Sequence, residues 1–447
     1  MCGQISKTLD YPRWRFGGRS LCLIRDNGVL VIAFYLPAVA VSVHPHFSDA
    51  SDMTPTERRA TASLASIFAL RMLGLFLVLP VFALEARSYP GGEDPVWLGL
   101  AMGIYGLTQG LLQLPFGMAS DRFGRKRVIV LGLLIFALGS FWAAAASDLM
   151  SLLVGRSLQG AGAVSAAVTA LLADLTRDEV RTRAMAFVGG SIGLMFALSL
   201  VVSPLLTGWI GLSGLFWLTG VLALLGVGVV IWGAPPAPEP VLGQGRGRLR
   251  DVLAHADLMR LNVGVFVLHA VQLAMWVSVP ALLVQAGLPT AQHWQVYLPA
   301  VSLSFLFLGV VFAAERRGYL KKGFLFSIFL IAMVEVGLLV QSAGSTSLSV
   351  MALLLLVFFC GFNALEATQP SLASRIAPRD MRGTAMGVYN TLQSLGFFVG
   401  GLGGGWLVKS WGTPVLFLCC GVAILVWLLV AWPMQMPGRG RTVGPAS

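Results

Sequence analysis

The sequence predicts an all-α polytopic membrane protein, with twelve transmembrane helices arranged as two six-helix pseudo-symmetric bundles. Three observations carry this prediction. Hydrophobic residues make up 56% of the 447-residue chain and charged ones 11%, against about 25% charged in a soluble domain. Several apolar runs exceed the roughly 18 residues that mark a membrane-crossing helix. One long polar linker, 234–259, rich in Pro, Gly and Arg, divides those runs into two sets of six.

The runs fall at about 60–84, 98–119, 128–147, 149–173, 184–208 and 213–233 in the first bundle (53–233). They continue at 260–286, 293–314, 323–342, 347–373, 384–408 and 413–434 in the second (260–434). Residues 435–447 read as a short polar tail. Residues 1–52 fit poorly: they are basic, and their one apolar run, about 29–43, is too short for a span and contains Pro37. Met53 opens Met-Thr-Pro-Thr-Glu-Arg-Arg, a suitable lead into the first span. Met53 is therefore the expected start, with 1–52 a poorly ordered extension; a peripheral helix is the alternative.

A net charge of +11 would suit a nucleic-acid partner, but the placement of the cations argues otherwise. Of 31 Lys and Arg, five precede residue 53, and Arg71 and Arg156 lie inside apolar runs. The rest fall in loops that alternate, leaving only Arg87 and Lys409 on one side of the bilayer. That is the positive-inside pattern, which puts both core termini in the cytoplasm. The expected setting is the bacterial inner membrane, with lipid as the surroundings, no nucleic acid and a monomeric chain. Cys2, Cys22, Cys360, Cys419 and Cys420 show no C-x-x-C spacing and no His cluster, so neither a disulfide framework nor a metal site is expected.

Between the second and third spans runs Gly117-Met-Ala-Ser-Asp121-Arg122-Phe-Gly124-Arg125-Lys126-Arg127. The cations alone mark a cytoplasmic loop. Gly117 permits close backbone approach, Gly124 a tight turn, and Asp121 can meet the positive N-terminal end of a helix. The two halves echo one another. Glu315-Arg-Arg-Gly318 follows the eighth span as Asp121-Arg-Phe-Gly124 follows the second. Glu179-x-Arg181 and Asp380-x-Arg382 precede the fifth and eleventh spans, and Arg156-x-x-Gln159 in the fourth corresponds to Glu366-x-x-Gln369 in the tenth. Repeated signals in the same order imply duplicated six-helix units, each a nested pair of inverted three-helix units.

Ionisable residues inside apolar runs carry the functional argument, since an Arg or Asp at the bilayer centre costs about 2.5–3.5 kcal/mol on insertion scales. Arg71, Arg156, His269 and Glu366 occupy the first, fourth, seventh and tenth spans. Repeat symmetry gathers those spans around one axis, so the four are expected to line a shared midplane chamber. Glu335, in the ninth span, should lie further out. Further polar lining is expected from Gln109, Gln113, Gln159, Asn363, Tyr389, Asn390 and Gln393. Trp276 is a candidate for stacking a flat ligand, although packing is the more frequent reason for a buried Trp. Such walls suit a moderately hydrophobic, cationic or zwitterionic solute better than a sugar.

The loop spacing G-x-x-x-D-R-x-G-R-K resembles the signature between helices 2 and 3 of the major facilitator superfamily, and the resemblance covers about 53–434. Arg156-Ser-Leu-Gln-Gly-Ala-Gly162 is similar to the helix 4 signature of proton-coupled antiporters, where the Arg influences protonation of a nearby acid. Ser203-Pro-Leu-Leu-Thr-Gly208 is a degraded form of their helix 5 ending. Met53-Thr-Pro-Thr-Glu-Arg-Arg-Ala, Leu70-Arg-Met-Leu-Gly74, Gly103-Ile-Tyr-Gly-Leu-Thr-Gln109 and Gly383-Thr-Ala-Met-Gly387-Val-Tyr389 resemble the YajR-type proton-driven efflux transporters. That resemblance implies a cytoplasmic charge relay of Asp121, Arg125 and Asp174, with Gly383 and Gly387 admitting the N-terminus of helix 11. That family also carries a soluble domain after helix 12, which this chain, stopping at Ser447, is not expected to share.

The leading functional expectation is a proton-coupled antiporter exporting small hydrophobic or amphipathic compounds, drawing on the proton gradient and no cofactor. Protonation of Glu366, or secondarily Glu335, would loosen its hold on Arg156, and His269 would relay protons near neutral pH. The alternative within the class is an uncoupled or symport-type metabolite carrier. A membrane-embedded enzyme would need a nucleophile–base set or a metal cluster, and a sensor a soluble output domain; neither pattern is visible.

Overall fold

A computed structural model describes residues 14–16, 19–26, 29–34, 53–236, 249–378 and 381–436. The centre of the 234–259 linker, Asp380 and the tail from 437 onward lie outside the described residues, as does the side chain of Glu179. The chain divides into a small unit, Met1–Ala50, and the large one that follows.

The small unit holds three antiparallel strands, β1 (Trp14–Phe16), β2 (Arg19–Asp26) and β3 (Val29–Phe34). Register runs from Leu21 opposite Phe34 to Asp26 opposite Val29. The apolar run at 29–43, offered above as an alternative peripheral helix, therefore begins as a paired strand. Its sequence contains the signal for this: Asn27-Gly28, a dipeptide favoured at two-residue hairpins, separates the two paired segments.

Among its described residues the large unit has helices and no strand. Its helices are α1 (Pro55–Glu85), α2 (Pro95–Phe123), α3 (Arg125–Ala144), α4 (Leu149–Ala161), α5 (Ser165–Asp174), α6 (Asp178–Gly228), α7 (Leu249–Ala254), α8 (Ala256–Gln285), α9 (Trp294–Arg316), α10 (Leu320–Ala343), α11 (Leu348–Ile376), α12 (Arg382–Trp411) and α13 (Thr413–Ala431). Local chemistry sets the boundaries. Thr54 and Glu57 exchange side-chain and backbone hydrogen bonds at the start of α1, with Pro55 in the first turn. Asp94 and Asp148 accept backbone N–H bonds at the starts of α2 and α4. Arg59 and Lys126 donate to the carbonyls of Trp232, Gly233 and Ala234 where the sixth span ends, so both act as caps for orphan carbonyls.

Among the described residues, nine helices are long and apolar enough to cross a membrane. Three features reconcile this with twelve spans. Helix α6 holds two spans, turned at Gly211, whose φ of 64° is outside the helical range. The fourth span is broken into α4 and α5 at Gly162–Val164. Helix α12 is diluted in hydropathy by its glycines. The protein is thus a multi-pass membrane protein of twelve-helix architecture.

Those glycines set how the halves meet. A Cβ placed on Gly99 of α2 would lie 2.1 Å from the carbonyl oxygen of Gly401 in α12, and one on Gly405 would lie 2.1 Å from that of Pro95. On its other face α12 presses on α8: a Cβ on Gly400 would sit 2.0 Å from the Ala270 oxygen and one on Gly396 2.5 Å from that of Phe266. Small residues let helix backbones approach in lipid, where packing rather than the hydrophobic effect drives association. The α2–α12 seam widens along its length. A Cβ on Gly110 would be 3.4 Å from Leu395, one on Gly387 3.6 Å from Leu114, and one on Gly383 meets nothing within 4 Å. The wide part lies at the end carrying the Gly117–Arg127 loop, hereafter the basic end.

The apolar core follows the same gradient. At the opposite end both halves contribute to one core, including Val78, Phe82, Leu98 and Phe216 from the first and Leu273, Trp276 and Val277 from the second. Toward the basic end each half has a cluster of its own, around Leu64, Ile129 and Leu171 in one and around Val252, Leu258 and Ala385 in the other. Lys409 of α12 reaches Asp94, the cap of α2, at 2.5 Å, an ion pair joining the halves at the closed end.

The seam can be tested by single methyl groups. Gly99→Ala and Gly400→Ala are expected to destabilise the protein by about 1–3 kcal/mol through overpacking, read as a lower unfolding midpoint in detergent. Gly403→Ala, with open space around it, should be neutral or slightly stabilising, because alanine loses less backbone entropy in a helix.

Candidate functional site

The ionisable residues of the first, fourth, seventh and tenth spans gather in two clusters, one in each half. In the first half, Arg71 of α1 is buried and donates to the Tyr105 hydroxyl at 2.7 Å, to Ser165 Oγ at 3.2 Å and to the Gly162 carbonyl at 3.4 Å. The carbonyl is available because the helix breaks there. Arg156 of α4 is also buried, donating to Gln159 Oε1 at 2.7 Å and, more distantly, to the backbone oxygens of Ala101 and Met102. Its guanidinium carbon lies 5.2 Å from the centre of the Tyr105 ring, so Tyr105 touches both arginines. Gln159 is held in turn by Ser140 at 2.8 Å. It was expected to line a chamber, and instead it orients Arg156.

In the second half, His269 of α8 and Glu366 of α11 approach to 3.2 Å, Nε2 to Oε2. Gln393 of α12 completes the cluster, with its Nε2 at 2.8 Å from His269 Nε2 and 3.4 Å from Glu366 Oε1. The other ring nitrogen, Nδ1, is 2.8 Å from the Val265 carbonyl oxygen. A carbonyl only accepts, so Nδ1 carries the proton, and in the neutral ring Nε2 is the acceptor, taking the Gln393 N–H. A second proton on the ring would make Nε2 a donor, which suits Glu366 and displaces Gln393. His269 is buried while the Glu366 side chain is 32% exposed, so a proton from solvent meets the carboxylate first.

The expected pairing of Glu366 with Arg156 is therefore not what the structure shows: Glu366 is engaged by His269, and Arg156 by neutral oxygens. The two clusters meet through Phe397 of α12. Its ring packs edge-on against His269 at 4.9 Å, and it lines a cleft between the halves with Arg156, Tyr105, Phe76, Phe82, Met102 and Leu273.

Other expected residues scatter. Trp276 is buried against Tyr297, ring centres 5.6 Å apart, and belongs to the packed core, so it does not stack a ligand here. Asn363 donates to Ser304 of α9 at 2.8 Å and ties α11 to α9. The Asn390 carbonyl accepts from Ser394. Gln113 and Tyr389 are buried, with side-chain polar atoms that have no partner among the described residues, and Gln109 is nearly buried one turn before Gln113. Glu335 is fully buried beside Gly421 of α13, and neither of its carboxylate oxygens has a partner among the described residues. It takes no part in the His269–Glu366 cluster.

At the basic end, Arg125 pairs with Asp121 and, at 2.9 Å, with Asp174 at the end of α5. It also donates to Ser120 Oγ at 2.8 Å, a member of the site that a charge-based reading passed over. Gly117 faces Ala166 of α5, and Gly124, at φ 97°, makes the turn. Arg122 stacks over Phe123, and Lys126 is a helix cap. Open space surrounds Gly383, while Gly387 meets Leu114 of α2. The second half carries a counterpart: Glu315, closing α9, pairs at 2.9 Å with Arg375 at the end of α11. Glu57 and Arg177 pair at 2.9 Å and join α1 to the start of α6. No group of three or more His, Cys, Asp or Glu that would hold a metal occurs among the described residues.

Comparison with known proteins places these observations. The model of the Major Facilitator Superfamily matches residues 60–401 and 320–446. The chain is 42% identical over 390 residues to the inner membrane transport protein YajR of Escherichia coli, covering 86% of this chain and 85% of that one. It is 29% identical over 383 residues to the multidrug resistance protein MdtH of Aeromonas salmonicida, covering 80% and 91%. Among solved structures, a bacterial homologue of the human lysosomal transporter Spinster, in an inward-facing and occupied conformation, superposes with a TM-score of 0.66 at 14% identity, covering 86% and 97%.

The ion pair at the closed end gives a direct test. Lys409, hydrogen-bonded to Asp94, holds that carboxyl below the usual carboxylate range. A depressed carboxyl contributes stability above its unfolded value, about 3.9, and loses it as pH falls through the lower folded value. The pair should thus persist through neutral pH and release only in strong acid. Asp94→Asn removes it at every pH. Exposed pairs contribute about 0.2–1 kcal/mol, so thiol labelling of a cysteine placed at Leu79, which lines the cleft between the halves, should rise by no more than about fivefold.

Proposed function

The chain belongs to the Major Facilitator Superfamily, a family of carriers, and on that premise we propose that it is a proton-coupled antiporter. It exports small hydrophobic or amphipathic compounds across the bacterial inner membrane by alternating access, with both core termini cytoplasmic. The single observation that carries this reading is the His269–Glu366–Gln393 cluster. A partly exposed carboxylate touches a buried imidazole whose remaining acceptor nitrogen is already shared with an amide. Such a set has two hydrogen-bond arrangements that differ by one proton.

With the ring neutral, Gln393 of α12 donates to His269 of α8 and Glu366 remains charged toward solvent. With a proton added, the imidazolium and carboxylate bind one another, Gln393 is released, and the contact between α12 and its neighbours changes. Because α12 is clamped between α8 and α2 of the other half, a local proton event bears directly on the seam between halves. A ligand or proton shifts a two-state equilibrium only by its differential affinity for the two states. Here the differential affinity lies in which of two partners Nε2 binds. The proton gradient is the driving force, a monomer suffices, and no cofactor enters the scheme.

The uncoupled or symport-type carrier has the same fold and differs in energetics. Substrate added to the purified, weakly buffered protein should release protons from an antiporter and none from an uncoupled carrier. In vesicles, Glu366→Gln and His269→Gln should abolish acceleration of efflux by a pH gradient. Coupling energies of about 1–3 kcal/mol correspond to a loss of about 5- to 150-fold, while substrate exchange without a gradient persists. Efflux that keeps its pH dependence in Glu366→Gln would overturn the assignment.

A further inference from the structure

The first-half cluster carries two cations and, among the described residues, no matching acid. All guanidinium contacts of Arg71 and Arg156 go to neutral groups: hydroxyls, an amide oxygen, backbone carbonyls and aromatic faces. Arg71 Nε is buried without a partner among the described residues. Glu366, the acid expected from the sequence as a counter-charge, is engaged by His269. Two buried, uncompensated guanidinium groups in hydrocarbon surroundings are costly, and that cost falls when an anion arrives.

The rest of the cleft says what the anion is attached to. Apart from Arg156 and the Tyr105 ring, its walls are apolar, among them Phe76, Leu79, Phe82, Met102, Leu273 and Phe397, from helices of both halves. A small hydrated anion would make no use of these apolar faces. A cationic solute would add a third positive charge beside Arg156 and Arg71. A neutral one would leave both uncompensated. We propose that the cleft is a binding site for an amphipathic organic anion, in which one carboxylate or sulfonate meets Arg156 and an aromatic or branched apolar body lies against Phe76, Phe82 and Phe397. This rests on reading the chamber as the transport site, and it reverses the sign of solute that the sequence alone suggested. Arg71 is not a direct contact in this scheme: it holds the Tyr105 hydroxyl, and Tyr105 supports Arg156 from below.

The site also relates ligand to proton without direct contact. Phe397 forms one wall of the cleft and packs on the His269 ring. A body seated against Phe397 therefore bears on the imidazole through one aromatic ring.

The test uses the full chain in detergent micelles and three probes of one shape: 2-naphthoate, 2-naphthamide and 2-naphthylmethylammonium, with empty micelles as the blank. Binding is measured by equilibrium dialysis without any gradient. In the wild type the naphthoate should bind at least about tenfold more tightly than the amide, as a charge-assisted hydrogen bond to a buried group implies, and the ammonium most weakly. Arg156→Gln should erase that advantage and leave amide binding in place, Arg156→Lys should keep part of it, and Phe397→Ala should weaken all three alike. The wild-type series decides the matter even if a variant fails to fold. Equal or tighter binding of the amide or the ammonium, or naphthoate binding no greater than the micelle blank, overturns the proposal. Flux in proteoliposomes separates it from the reading on which it rests. Naphthoate preference with flux indifferent to pH would remove proton coupling and leave the anion site standing. Proton-driven flux of the ammonium, with no naphthoate binding, would do the reverse.

Discussion

Helix α12 is the element on which the rest depends, and its constraint is steric. Two sets of glycines, offset along one helix, bring its backbone against α8 within its own half and against α2 of the other half. Neither contact leaves room for a methyl group. In lipid, where apolar side chains gain little by leaving the solvent, such backbone approach is among the few ways to hold helices together. The same helix supplies Gln393 and Phe397 on the faces between these contacts. Packing and chemistry are therefore presented by one rigid body, and any rearrangement at one face is felt at the others.

The two halves solve the burial of charge in different ways. The second brings an imidazole to a carboxylate, a pair able to neutralise itself with a proton. The first keeps two guanidinium groups apart from any acid and surrounds them with neutral acceptors and rings. Duplication thus supplied equivalent positions, first and fourth spans in one bundle and seventh and tenth in the other, while the residues there diverged in charge. The basic end shows the same divergence. Arg125 sits between two acids in the first half, and in the second Arg375 at the end of α11 meets Glu315 at the end of α9. The acid that follows the second span is kept in the eighth, as Asp121 and Glu315, while the acid ending the fourth, Asp174, gives way to Arg375 at the end of the tenth.

Much of this architecture was legible in the sequence because hydrocarbon enforces it. Twelve apolar runs, alternating cations and one polar linker leave little freedom in the count of helices. Burial of Arg71, Arg156 and His269 was also legible, since a charge in an apolar run has few places to go. Partners were not, because a side chain's neighbour depends on helix rotation and on contacts with spans far away in sequence. Hence Glu366 was matched to the wrong cation, Gln159 was placed in a chamber when it braces Arg156, and Trp276 proved to be packing. The strands at 14–34 were missed although Asn27-Gly28 announces a hairpin, because attention to the length of an apolar run favours helix. Ser120 was missed because it carries no charge.

The interruption at Gly162–Val164 has a mechanical consequence. A continuous span would oblige Asp174, at the basic end, and Arg156, beside the cleft, to move as one rod. Broken, the span becomes two levers, with the Gly162 carbonyl resting on Arg71 as fulcrum. The ten-residue segment that carries Asp174 is then not bound in one rod with the segment carrying Arg156, and its direction is set by its own packing against Leu64 and Ile129.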